Sequence, residues 1–395
     1  VNQLESRGVE RGHAYQLKEA GAQLLGQYRE LRRLRMRDGD ARVITVPPGS
    51  SEGEVAAELL DSGAFEYVHP NYRVSTIGCP NDTQFDQQWH HGPNHLESCI
   101  AWEATIGERT VVVAILDTGV DIENPDLDDN RADGYNATTQ LFESEGGEIT
   151  PSGPHGTWVA GIAAAEGNNS FGVSGVGQNI SYRPVRVSEN GATTFVSTIV
   201  DGAIVAAERG DQVINASFSG VDLPVVRDAA RTVRDLGSIL VWSAGNDGRT
   251  LDFANRDDDA LLVVGATDFD DNLAEFSADG EFVDLVAPGD AVVTAAPGGV
   301  VETVSGTSFS APLAAGLAAL VFSNDPSLSP DDVELALKQG ADDLGTSGID
   351  NTFGFGRINS NQSVEFRLPL RVTFPKGRTD RIDPSGGDRF TVAVE

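Results

Sequence analysis

Between residues 110 and 340 two kinds of apolar segment alternate along the chain. Runs at 111–116, 180–187, 213–218, 239–243, 261–266 and 283–287 are predominantly apolar, which predicts strands buried on both faces. Segments at 155–165, 195–208, 225–236, 308–322 and 330–339 fill the gaps with helical spacing. Strand then helix, repeated, predicts the α/β class: a doubly wound, mostly parallel sheet with helices on both faces and its sites at the carboxyl ends of the strands. Upstream, a charged helical stretch at 14–35 precedes a strand-helix-strand pattern at 42–46, 51–60 and 65–68, a small α+β unit over residues 1–75. Residues 75–86 are rich in polar and turn residues and predict an exposed linker that can be cut. The main unit then spans 76–362, and short alternating segments at 368–374 and 390–394 mark 363–395 as the start of a β-rich extension.

Charge narrows the partners. Asp and Glu number 60 against 28 Lys and Arg, a net charge of −32, and the only lysines are Lys18, Lys338 and Lys376. Nucleic acids and anionic membranes are excluded as partners by that balance. A salty habitat, calcium sites and a soluble secreted protein all fit the same composition. No apolar run reads as a membrane span, and the chain opens on Val1-Asn2-Gln3 without a signal peptide. Cys79 and Cys99 are the only cysteines; a single disulfide and two free thiols both remain open.

The candidate chemistry centres on residues 305–316, where a small-residue turn runs into an alanine-rich helix. A hydroxyl there, that of Ser308, sits near the positive end of the helix dipole and beside unpaired backbone N–H groups, so developing negative charge would be stabilised. Pro312 falls in the expected first turn, where its missing N–H costs little. On this pattern alone Ser308 is a nucleophile or simply a helix N-cap. A serine nucleophile needs a base, commonly a histidine oriented by a carboxylate. Of the six histidines, His155 alone lies in the α/β region, again at the opening of a small-residue helix. Asp117 ends the most apolar strand and precedes Thr118-Gly119, where it either orients an imidazole or caps the turn.

The chain order Asp117, His155, Ser308, within Asp-Thr-Gly, His-Gly-Thr and Gly-Thr-Ser, resembles the subtilisin-like serine proteases over about residues 81–359. Several roles follow from that resemblance. Ser243-Ala244-Gly245-Asn246 matches the segment whose asparagine binds the oxyanion, so Asn246 is expected to act with the Ser308 N–H. Ser217, Phe218 and Ser219, with Ser243, Ala244 and Gly245, are expected to line the substrate cleft, as is the segment 188–192. Asp247 lies near the presumed base of the first pocket and would favour a basic residue there. Structural calcium is expected on the Asp82, Asp126 and Asn169 side chains and the carbonyls of Glu166, Phe171 and Val173. The segment ending at Val74 resembles an inhibitory propeptide. Phe309, Leu313, Asn124 and Pro154 stand where relatives often carry Met, His, His and Gly, and none of these changes removes a catalytic group.

The resemblance thus implies a secreted, extracellular, monomeric serine endopeptidase, made as a self-processing zymogen, that acts on polypeptides and is inhibited by its own propeptide. A non-catalytic scaffold that keeps the fold is the rival reading. A metal-dependent hydrolase is disfavoured, because there is no His-Glu-x-x-His and one histidine cannot build such a site.

Overall fold

The computed structural model describes residues 79–256 and 260–366 without a break, with shorter pieces on either side, among them 30–34, 41–44, 52–62, 371–373 and 379–381. The chain divides into two compact units, 1–76 and 77–395.

In the first unit, β1 (Glu30–Leu34) pairs antiparallel with β2 (Ala41–Ile44), with an irregularity between Glu30 and Arg32. α1 (Glu52–Asp61) follows and buries Val55 and Leu59. The sequence pattern predicts helix through residue 35. Glu-Leu-Arg-Arg-Leu consists of good helix formers, but pairing with β2 decides against that weak preference. Phe65 and Val68, expected in a strand, are irregular.

The second unit is built on one sheet. Its strands are β3 (Val112–Asp117), β4 (Tyr135–Asn136), β5 (Leu141–Phe142), β6 (Ser181–Arg186), β7 (Val213–Ala216), β8 (Ile239–Ser243), β9 (Leu261–Thr267) and β10 (Leu285–Pro288), in the order β10-β9-β8-β7-β3-β6-β4-β5. All neighbours are parallel except β4 and β5. Alternate residues of β3 enter different cores. Val113 and Ile115 pack with α3 (His155–Ala164) and α6 (Thr307–Asn324), whereas Ala114 and Leu116 pack with α4 (Val196–Glu208) and α5 (Pro224–Asp235). Two covered faces favour apolar residues, so most of the strands read as apolar runs; β6 is the exception, its buried Arg183 paired with Asp211. After β6 the chain crosses over β3 to begin β7, and the strand order reverses there. A crevice therefore opens at the carboxyl ends of β3 and β7.

α6 has the length and apolarity of a membrane span, contrary to the sequence expectation that no segment does, but it is enclosed by protein at the centre of one core. α7 (Pro330–Gln339) begins with a capping box between Ser329 and Asp332, and α8 (Ser360–Glu365) packs against α2 (Ser98–Ala104).

Three features depart from the sequence reading. A hairpin, β11 (Val292–Ala296) with β12 (Val300–Val304), occupies residues assigned to no element. Residues 79–86, expected to be an exposed linker, begin a packed arm: Cys79 forms a disulfide with Cys99, and Asp82 is buried. Farther along the arm, the Gln88 amide exchanges two 2.8 Å hydrogen bonds with the Ser174 backbone, and the buried His91 bonds Ser98 Oγ and Ser174 O. Beyond α8, β13 (Arg371–Thr373) pairs with β14 (Thr379–Arg381), while the segment expected at 390–394 lies outside the described residues.

Candidate active site

Asp117 is the last residue of β3 and wholly buried, and its Oδ1 accepts the N–H of Thr118 at 2.8 Å. His155 opens α3 across the crevice, with Nδ1 2.9 Å from both Asp117 oxygens. The buried carboxylate fixes Nδ1 as the protonated nitrogen and leaves Nε2 as the basic one. Burial by itself would lower the His155 pKa, but the Asp117 charge and hydrogen bond outweigh it, and the net displacement is upward. One face of the imidazole is covered by Phe309, at 5.6 Å between ring centroids, and Trp158 braces both rings from 6.2 and 6.1 Å.

Ser308 is the second residue of α6, and the N-cap is Gly306, so Ser308 does not cap the helix. Its N–H lies in the first turn, where the helix offers no carbonyl to receive it. Among the described residues its hydroxyl makes only a long contact, 3.5 Å, with the Ser217 carbonyl. Pro312 falls in the second turn and not the first. The N–H that Pro312 lacks is the one that would bond the Ser308 carbonyl four residues back. The Ser217 hydroxyl supplies the missing donor at 2.9 Å, and itself accepts from Asn215 Nδ2 at 3.1 Å.

Asn246 lies in the turn after β8. Its side-chain oxygen accepts both the N–H and the hydroxyl of Thr307, each at 2.8 Å. Those two donors fix which end of the amide is oxygen. The NH2 therefore faces the Gly306–Ser308 turn: a Cβ at Gly306, where φ is +149°, would come within 3.2 Å of Asn246 Nδ2. The positive φ favours glycine there, and the absent Cβ leaves the amide its room. Thr307, which the sequence marks only as the middle of the Gly-Thr-Ser motif, is thus the residue that orients the Asn246 amide.

The residues expected to line the cleft separate into two groups. Phe218, Ser219 and Gly245 reach the surface. Ser243 and Ala244 are buried, the hydroxyl of Ser243 turning to the Phe218 carbonyl and the N–H of Ala244 to Val264. Ser217 is buried as well and braces Ser308. The segment 188–192 is tied down by Ser188, which donates to the Thr193 carbonyl at 2.8 Å. Asp247 is exposed and lies 3.4 Å from the Arg249 guanidinium, which offsets its charge.

At the edge of the same unit, the residues expected to hold calcium come together. Asp82 accepts the N–H groups of Asn168 and Asn169, at 3.0 and 3.1 Å, and Asp126 accepts that of Val173 at 2.9 Å. Burial raises the pKa of both carboxylates, and Asp82 and Asp128 raise that of Asp126 further. Among the described residues neither carboxylate has a cationic side chain as a hydrogen-bond partner, and hard oxygen donors so gathered fit a calcium ion. Asn169 departs from the expected arrangement: its amide nitrogen faces Asp126 at 2.9 Å and its oxygen accepts the Phe171 N–H. The Glu166 carboxylate pairs with Arg109, and the ligand expected from this residue is its carbonyl.

Residues 108–356 match the subtilase family. A thermophilic serine proteinase of Bacillus sp. strain AK1 is 37% identical over 320 residues, 80% of this chain and 77% of that protein. A halolysin-like extracellular serine protease, Nep, of Natrialba magadii is 32% identical over 311 residues, 78% of this chain and 56% of that protein. Among solved structures, a protease from Pseudoalteromonas arctica superposes with a TM-score of 0.63 at 29% identity, covering 73% of this chain and 99% of that one. The Asp117–His155 pair, the serine at the opening of α6 and these relatives agree: the chain belongs to the subtilase family and is a subtilisin-like serine endopeptidase.

Proposed function

We propose that Ser308, His155, Asp117 and Asn246 carry out the peptide hydrolysis. The observation that supports this most is the His155 ring, held through Nδ1 by both Asp117 oxygens, with its face against the residue that follows Ser308. Nε2 takes the Ser308 proton as Oγ attacks the scissile carbonyl, and Asp117 stabilises the imidazolium that forms. The Asn246 NH2 and the Ser308 N–H receive the oxyanion. His155 then protonates the departing amine, and water repeats the sequence to release the acyl group. Peptide backbone pairs along the segments 217–219 and 243–245, Ser243 and Ala244 contributing main chain only, since their side chains are buried.

Calcium on Asp82, Asp126 and the carbonyls of Glu166, Phe171 and Val173 would clamp the arm to the loop 166–173; when bound, it supplies charge neutralisation and no chemistry. Chelation is then expected to lower the melting temperature, and an unchanged value would remove the calcium assignment. Residues 1–75 act as an inhibitory propeptide, and the mature enzyme is an extracellular monomer; a resemblance at 67–74 and the extracellular halolysin-like relative support this. The test is expression of the chain and its Ser308→Ala variant with calcium, following mass and hydrolysis of casein. Only the wild type should shorten, to begin near residues 73–80, and digest casein. A Ser308→Ala chain that does either overturns the assignment.

A further inference from the structure

The β11–β12 hairpin is sewn to α3 beside the catalytic histidine. The Thr294 hydroxyl donates to the Trp158 carbonyl at 2.8 Å, and the Trp158 indole N–H donates to Glu302 Oε2 at 2.9 Å. Trp158 stands three residues after His155 on α3 and packs on both His155 and Phe309. Glu302 is thus fixed on the His155 side of Ser308, whereas Asn246 and the segments 217–219 and 243–245 lie on the other side, where β7 and β8 end. Glu302 is exposed, and its second oxygen, Oε1, has no partner among the described residues.

Peptide cleavage divides the substrate between these two sides. The C–N bond breaks, the acyl carbon stays on Ser308 Oγ, and the amine departs with the proton that His155 delivers. The leaving half must therefore pass the imidazole and run along Trp158 toward Glu302. We propose that Glu302 is a specificity-determining residue for this half, its carboxylate selecting Lys or Arg at the first positions beyond the scissile bond. A carboxylate already held by an indole N–H loses little rotamer freedom when it pairs, and one oxygen stays free for the incoming cation. The inference rests on the assignment of Ser308 and His155.

The test measures kcat/KM on peptides identical in the acyl half, with Lys, Gln or Glu at the first or second leaving position. The wild type should prefer Lys to Gln and Gln to Glu. Glu302→Gln should reduce the Lys-to-Glu ratio about twofold to fivefold, the range open to an exposed ion pair, and Glu302→Lys should invert it. Raising the ionic strength should shrink the wild-type preference. Glu208→Gln, on an exposed residue that ends α4 just before β7 begins, away from the carboxyl ends of the strands, controls for the general negative field and should leave the ratio unchanged. An equal ratio in wild type and Glu302→Gln, or an equal fall in Glu208→Gln, overturns the role of Glu302. A Ser308→Ala chain that still cleaves these peptides would instead overturn the triad beneath it.

Discussion

Replacing Ser217 by alanine isolates the coupling between Pro312 and the nucleophile. The Ser308 carbonyl loses its helical donor because residue 312 is proline, and the Ser217 hydroxyl at 2.9 Å takes that place. Ser217→Ala leaves the carbonyl unbonded at a part-buried site, a cost of about 1–3 kcal/mol. In a domain of this size that corresponds to a fall of about 3–10 °C in Tm. The measurement belongs in a Ser308→Ala background, where autolysis cannot intrude and the carbonyl is retained, using thermal unfolding followed by circular dichroism. Pro312→Ala restores an N–H four residues beyond the carbonyl, so Ser217→Ala should then cost less by about 1–2 kcal/mol. The bond from Asn215 to Ser217 is lost in both backgrounds and cancels in the cycle. If Ser217→Ala costs the same with proline and with alanine at 312, the two residues are not coupled and the reasoning fails. In the active enzyme, the same substitution should lower kcat more than it alters KM, because it frees the turn that aims Ser308.

Three further outcomes are expected. Asn246→Ala should lower kcat about 10²–10³-fold with little change in KM, a magnitude taken from the corresponding donor of subtilisin and not from this geometry; a loss under tenfold would remove Asn246 from the oxyanion site. Reduction of Cys79–Cys99, 20 residues apart, should cost about 3 kcal/mol by loop entropy, and a Tm that does not move on reduction would count against it. Because Asp117 raises the His155 pKa and only the neutral imidazole is a base, kcat/KM should rise with pH through a midpoint above the ordinary histidine value, and Asp117→Asn should shift that limb to lower pH; a midpoint below the ordinary value would contradict the pairing.

The sheet was legible in the sequence because burial on both faces removes polar alternation, so β3, β8 and β9 stand out as apolar runs. The site was legible because the α/β region holds one histidine and chain order did the rest. Other features depend on partners distant in sequence. Residues 79–86 look like a linker by composition, but their polar groups are bonded to the loop around 168–172. Residues 30–34 have helical composition and form a strand because β2 lies beside them. The β11–β12 hairpin was hidden by its half-exposed second strand, in which Val300 and Glu302 face solvent. Nothing local in Ser217 or Pro312 announces that one completes a hydrogen bond the other forbids; the pairing exists only once β7 and α6 meet.

The disulfide gives the arm a second kind of fastening. Cys79 lies three residues before Asp82, so the bond to Cys99 on α2 confines that carboxylate near Asn168 and Asn169 even when its hydrogen bonds are open. In the oxidised chain, rebinding is an intramolecular event at a high effective concentration, and a loosened arm recloses before it is lost. Once the bond is reduced, the same opening becomes an escape. Chelator and reductant together should therefore inactivate faster than the product of their separate effects.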